Sequence, residues 1–291
     1  MVSNYHRGMI YAPPQLGEPE MRAIDELDQM RSELRHNVRD RRRWLGSLRR
    51  LTFARNVQGS NSIEGYDASL DDVLAAVDDE ETLEAGEETR LALRGYRDAL
   101  TYVMQIARDP DPPSIDESLL KSLHFMMIRH DLSKILGQWR PGAIWVKREE
   151  DHELVYEAPD RELVPQLIGE LASTLDTISD TDDHAVLRAA MAHLNLVMIH
   201  PFSDGNGRMA RCLQTVERLT SDQSSPGLEH AERLGQFGEH LQVRPHEFDA
   251  VAQRRVLDAG LRQAEFEGAG TTRPAAHRRV AASLVSHAPG G

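Results

Sequence analysis

Cysteine is nearly absent: the 291 residues hold one, Cys212. A single thiol excludes an internal disulfide framework and a cysteine-built zinc site. Long apolar runs are missing as well. No stretch approaches the roughly 18 apolar residues of a membrane-spanning helix. The opening "MVSNYHRGMIYAPPQLGEPE" has no apolar segment of the secretory-signal kind. A soluble, cytoplasmic protein without a membrane partner is the expectation. Positive charge is in deficit, 34 Lys and Arg against 47 Asp and Glu, for a net −13. General nucleic-acid binding wants a basic face, so no nucleic-acid partner is expected. No internal repeat is visible.

What is present is mostly helical patterning. Residues 1–18, with Pro13, Pro14 and Gly17, read as an extended arm. From Pro19, Met21, Ile24, Leu27, Met30 and Leu34 fall at helical spacing. The arginines at 39–43, with Arg49 and Arg50, read as a solvated face that pairs with nearby acids rather than as a polyanion patch. "SLDDVLAAVDDEE" opens on an N-cap candidate, Ser69, followed by acids in the first turn. "EETRLALRGYRDALTYVMQIARD" is a longer helix, stopped by the prolines of "DPDPPS". Ser114 with Glu117 predicts a capping box for the next helix. That helix holds His124 and His130, read as packed or surface residues rather than ligands. Beta-like runs at Ala143 to Val146 and Leu154 to Tyr156 make one hairpin. "DRELVPQLIGELASTLDTISD" returns to helix, and "DHAVLRAAMAHLNLVMIH" is apolar nearly all round, as a helix buried inside a bundle is. The chain divides into the arm at 1–18, a helical region at 19–110, a core at 114–220, a weaker helical region at 221–267 and a low-complexity tail at 268–291.

The core carries "HPFSDGNGRMAR", from His200 to Arg211. Pro201 disfavours helix at the residue before it, which puts His200 at the exit of the buried helix. Phe202 is an apolar peg for the loop. Gly205 and Gly207 allow positive φ and close approach. With Asn206 between them, their N–H groups can form an anion nest at the positive end of the next helix. Arg208 and Arg211, three apart, can fork onto phosphate oxygens. Asp204 is placed to hold Mg²⁺ between phosphates. His200, with an ordinary pKa of roughly 6.5, can accept a proton. No serine or cysteine is placed as an enzyme nucleophile, so the nucleophile is a hydroxyl of another molecule. Other readings fail on detail. A calcium loop would need its first ligand at Phe202 and its closing glutamate at Leu213. A Walker A loop needs Gly-Lys-Ser/Thr. Zinc on His193 and His200 lacks a third ligand. A plain glycine turn explains the glycines but not the charges.

The stretch resembles the Fic-domain pattern HPFx(D/E)GNGRxxR at every fixed position, and the similarity extends over about residues 20 to 220. The resemblance implies an all-α helical bundle with one short β-hairpin flap, and transfer of AMP from ATP to protein hydroxyls. By the same resemblance His200 is the general base and Asp204 binds Mg²⁺. Gly205, Asn206, Gly207 and Arg208 cradle the phosphates, and Arg211 grips the γ-phosphate. The flap, Ile144, Trp145, Val146 and Lys147 here, pairs with the target backbone as an added strand. Implied partners are ATP, target proteins with exposed Tyr, Ser or Thr, the chain itself as a substrate, and self-association.

"SNSIEG", from Ser60 to Gly65, resembles the family's inhibitory pattern (S/T)xxxE(G/N). Ser60 and Glu64 are expected on one helix face, with Gly65 as the terminator. The resemblance implies that Glu64 pairs with Arg211 and blocks a productive ATP pose, within the 19–110 region. Such coupling is worth about 1–3 kcal/mol, roughly 5- to 150-fold in activity. The alternatives are removal of AMP with Glu64 positioning water, transfer of another nucleotide, and a non-enzymatic interaction module.

Overall fold

A computed structural model describes residues 10–38, 44–80, 84–109, 111–147, 154–177 and 184–221. The expected arginine cluster at 39–43 and the regions from 222 onward lie outside the described residues. Among those described, the chain is an all-α bundle with a single two-stranded hairpin. In order, the helices are α1 (Glu18–Val38), α2 (Trp44–Ser62), α3 (Leu70–Val77), α4 (Glu87–Ile106) and α5 (Glu117–Ile128). The hairpin strands β1 (Trp145–Lys147) and β2 (Leu154–Glu157) follow, then α6 (Val164–Thr177), α7 (Ala185–Ile199) and α8 (Asn206–Ser221). No described helix is long and apolar enough to cross a membrane.

The core forms where α7 packs along α8, with α4, α5 and α6 around them. Leu196, Phe202, Met209 and Leu213 from the α7–α8 corner are fully buried, as are Leu93, Tyr96 and Leu123 from α4 and α5. At about 1.5–3 kcal/mol for each large apolar side chain, this corner is well anchored. One polar clamp lies within it. Arg188 of α7 donates to Glu217 of α8 through Nε at 2.9 Å and Nη2 at 2.6 Å, both side chains being nearly inaccessible. A buried pair tolerates loss of either partner poorly, because the other charge is left behind.

Helix ends follow local chemistry, with one departure from expectation. Ser69 caps α3 as expected, accepting from the Asp72 N–H at 3.1 Å. For α5 the cap is Asp116, which accepts from the Leu119 N–H at 2.8 Å; Ser114 is not the cap. Ile115 and Leu120 are both buried on either side of that cap, the positions of a hydrophobic staple. Glu117 pairs outward with Lys121. In α1, Met21 and Met30 are exposed, while Ile24 and Leu27 are half-buried. The helix presents a narrower apolar stripe than its spacing predicts. A polar link ties it to the bundle: His184, the N-cap of α7, places Nε2 3.0 Å from Asp28 Oδ1. Arg50 pairs with Asp78, as the charge pattern anticipates.

The hairpin starts two residues later than expected. Trp145 lies opposite Glu157, Val146 opposite Tyr156 and Lys147 opposite Leu154, with an irregularity between Val146 and Lys147. Ile144 precedes the strand, and its side chain is buried. Its carbonyl accepts from the Ala158 N–H at 3.1 Å, which closes the hairpin stem.

Gly95 sets the approach of α4 to α5. A Cβ at this position would collide with the carbonyl oxygen of Met127. Backbone cannot yield as a flexible side chain can, so Gly95→Ala should destabilise the chain by about 1–3 kcal/mol. Denaturant unfolding of the variant checks this, and an unchanged midpoint contradicts the close approach.

Candidate active site

The site is a corner between two helix ends. α7 stops at His200, which adopts the left-handed conformation, φ 52° and ψ 58°, unusual for a residue with a side chain. α8 starts at Asn206. Six residues, His200 to Gly205, thus link a set of helix-terminal carbonyls to a set of helix-initial N–H groups, and both sets need partners from outside their helix.

His200 Nδ1 lies 3.2 Å from the Val197 carbonyl. A carbonyl only accepts, so Nδ1 carries the proton and Nε2 is left as the basic nitrogen. Burial holds the imidazole pKa down at about 4, and the nearby Arg140 charge pushes the same way, against the Val197 bond, Glu64 and Asp204. The ring is neutral at ordinary pH.

The loop is held from below. Phe202 is fully buried and stacks on His124, ring centroids 3.8 Å apart, with Trp139 on another side at 5.1 Å. His124 Nδ1 accepts the Gly137 N–H at 3.0 Å, so Nε2 donates to the Asp204 carbonyl at 3.1 Å. Burial keeps His124 neutral, its pKa also about 4. His124 is thus packed, as expected, but it also fixes the loop. Asn206 uses its side chain to bridge the loop: Oδ1 accepts from the Phe202 N–H at 2.9 Å and Nδ2 donates to the Phe202 carbonyl at 2.8 Å. That differs from the expected nest. Of the two loop glycines, Gly205 alone has positive φ, +73°, while Gly207 lies in the first turn of α8.

Gly207 has a steric reason instead. A Cβ there would collide with Glu64 Oε1. The glutamate carboxylate therefore lies directly on the first turn of α8. Glu64 is not on the α2 face, as its spacing suggests: α2 ends at Ser62, and Glu64 sits in the turn that Gly65, φ +86°, completes. Arg211 closes the contact. Its Nη2 donates to Glu64 Oε1 at 2.7 Å and to the Ser60 carbonyl at 2.8 Å, and its Nε donates to Ser60 Oγ at 2.8 Å. Ser60, Glu64 and Arg211, some 150 residues apart in sequence, meet as the pattern anticipates.

Arg208 is different. It is 1% exposed, and its Nε and Nη1 have no hydrogen-bond partner among the described residues. The Tyr66 ring covers it, centroid 5.1 Å from Cζ. A guanidinium buried with free donors next to a helix N-terminus is chemically suited to an anion. Asp204 points one oxygen at the Gly205 N–H, 2.7 Å, and the other at Lys134 Nζ, 3.5 Å. No group of three or more His, Cys, Asp or Glu able to hold a metal occurs among the described residues. A lone carboxylate fits Mg²⁺ that arrives on phosphates and keeps waters, not a resident ion. His193, weighed for zinc, bonds Gln214 instead, at 3.0 Å.

Five residues of this corner are missing from the sequence reading as site residues: Tyr66, His124, Lys134, Arg140 and Tyr156. Arg140 is among the most deeply placed, at 3% exposure. It donates to three carbonyls, His200 through Nε at 2.9 Å, Gly142 through Nη1 at 2.6 Å and Pro159 through Nη2. No motif marks it, although an arginine just before Pro141 at the foot of a hairpin is a weak hint.

Comparison with known proteins agrees with this geometry. Residues 114–216 match the model of the Fic/DOC family. The protein adenylyltransferase Fic of Nematostella vectensis is 25% identical over 292 aligned residues, covering 95% of this chain but 63% of that protein. The chain therefore spans less than two thirds of that relative. A Fic family protein from Desulfovibrio desulfuricans G20 shares the fold with a TM-score of 0.57 at 24% identity, over 90% of this chain and 79% of that one. Fic-1 from C. elegans does so with a TM-score of 0.59 at 22% identity, over 84% and 67%. Motif, helix order and these likenesses converge: the chain carries a Fic domain over residues 114–216.

Proposed function

We propose that the chain is a protein adenylyltransferase, moving AMP from Mg-ATP to a hydroxyl of a protein, and that Glu64 restrains it. The observation that carries this reading is the pair of anion-seeking groups at the start of α8. One side already holds an anionic oxygen, Glu64 Oε1, against Gly207 and Arg211. The other, Arg208, keeps buried donors free. Names of relatives such as the Nematostella vectensis enzyme support the same activity.

In this reading the triphosphate lies over the first turn of α8, with Arg208 and the N–H groups of Asn206 and Gly207 donating to its oxygens. Asp204 would give up its contact to Lys134 to hold the Mg²⁺ that enters with ATP, whose charge would offset that of the departing pyrophosphate. The target hydroxyl attacks the α-phosphorus, an O–P bond forms, the bond from that phosphorus to the bridging oxygen breaks, and pyrophosphate leaves. The hydroxyl proton passes to His200 Nε2, the nitrogen that the Val197 bond leaves basic. Arg211 is the group that would seat the γ-phosphate. While it holds Glu64 and Ser60, the tail cannot lie straight.

Incubation with labelled ATP tests the restraint. Glu64→Gly should raise self-labelling by roughly 5- to 150-fold, the range of one such coupling; labelling equal to the parent with every acceptor tried contradicts it. In the Glu64→Gly background, His200→Ala should abolish labelling while Mg-ATP still binds by calorimetry, and persistent labelling removes the base assignment.

The pH dependence follows from a lowered imidazole pKa. The neutral ring is the active form, so activity is kept above that pKa and lost as pH falls through it. Because burial holds His200 near 4, labelling by Glu64→Gly should stay flat at and above the ordinary histidine value of about 6.5 and decline only below it. A half-maximal rate at neutral pH would contradict the buried neutral base.

A further inference from the structure

The carbonyls at the end of α7 have no partners within the helix, and the residues that satisfy them are informative. The Leu196 carbonyl takes the His200 N–H at 2.9 Å, and the Val197 carbonyl faces His200 Nδ1. The Met198 carbonyl accepts from the Tyr156 hydroxyl. The His200 carbonyl accepts from Arg140 Nε, and the Pro201 carbonyl from the Arg140 N–H at 2.9 Å. Tyr156 is a residue of β2, facing Val146 of β1. The other two Arg140 donors hold Gly142, just before β1, and Pro159, just after β2. The partners of the Met198, His200 and Pro201 carbonyls come from the hairpin and from its foot.

We infer that the hairpin is the C-terminal cap of α7, and that Arg140 and Tyr156 are positioning residues through which a chain seated on β1 orients the His200 imidazole. The inference rests on the reading of His200 as base and of the hairpin as the docking edge. Arg140 is buried among carbonyls and makes no ion pair among the described residues; burial lowers its pKa, against the nearby charges of Glu162 and Asp160. Its cost is offset by bonds to three segments at once, and those bonds hold only in one relative placement of hairpin and helix end. The left-handed His200 is part of that placement. Away from φ 52°, its carbonyl turns from Arg140 and its Nδ1 from Val197. A strand added to β1 stiffens the hairpin, and Tyr156 and Arg140 carry that stiffening to Met198 and His200, two residues apart at the base. Docking of a protein acceptor and alignment of the base are then one event.

The test uses the full chain in the Glu64→Gly background, with Tyr156→Phe and Arg140→Lys as variants. Phenylalanine removes one hydroxyl and little else; lysine keeps the charge but cannot span three carbonyls. The first readout is the ¹⁵N imidazole spectrum of His200, assigned by its loss in His200→Ala, which needs no activity. The parent should show the Nδ1-protonated tautomer, and both variants should show exchange between tautomers. The second is the split between kcat and the KM for ATP in self-labelling. Misalignment of the base should lower kcat by about tenfold or more, as small displacements of a catalytic group do, with the KM for ATP within about twofold. An unchanged His200 spectrum overturns the inference, as does a fall of kcat, ATP affinity and melting temperature together. If the Glu64→Gly parent labels nothing, the adenylyl-transfer reading fails, and the spectrum still decides on the cap. If Arg140→Lys does not fold, Tyr156→Phe decides both readouts.

Discussion

The corner between α7 and α8 is the constraint on which the rest depends. A helix that ends next to one that begins brings carbonyls and N–H groups together without partners, and this chain resolves the two ends by opposite means. The α7 end is satisfied from inside the protein, by His200, Tyr156 and Arg140. At the α8 start the Asn206 side chain fastens the loop at Phe202 and leaves the N–H groups of the first turn, with Gly207 and Arg208, open to an anion. Rigidity at one end places the imidazole; demand at the other draws the ligand. Phe202 and His124, stacked beneath, keep the two ends from moving independently.

How much of this was legible in the sequence depended on where each side chain's partner lies. His200, Asp204, Gly205, Arg208 and Arg211 could be read because a single local run holds them. Ser60 and Glu64 could be read because their pattern is also local, although the turn that carries Glu64 off the helix was not. Arg140 and Tyr156 were illegible for a definite reason. Their partners are backbone carbonyls 60 and 42 residues away, and a carbonyl leaves no mark in the residue type. For His124 the sequence leaves packed and surface placements open, and its contact is again to a carbonyl, that of Asp204. The helices were legible from apolar spacing. Their caps were less so, because Asp116 and Ser114 are equally good acceptors in isolation and the buried Ile115 decides between them.

Asn206 and Gly207 each carry a structural role beside the one the sequence suggests. Both stood out as parts of a phosphate nest. In the fold Asn206 is turned inward to fasten the loop, and Gly207 is helical. Its missing side chain matters because an oxygen lies where Cβ would be, and in this structure that oxygen belongs to Glu64. The same open space suits a phosphate oxygen. On the proposed reading, glutamate and nucleotide would meet at one volume as well as at one arginine.

The two arginines of α8 make that competition one-sided. Arg211 is neutralised by Glu64 and further bonded to Ser60. Arg208 is buried beneath Tyr66 with donors unspent. A cation over an aromatic ring gains about 0.5–2 kcal/mol, whereas leaving a buried charge uncompensated costs several. The resting site therefore holds an unmet demand for negative charge, next to a cation whose demand is met. On the proposed reading, a triphosphate would satisfy Arg208 whether or not Glu64 moves, so the glutamate would govern the pose of the bound tail far more than its binding. A restraint of that kind would leave the site loaded, and its release would need only the Glu64 turn to swing away from Gly207.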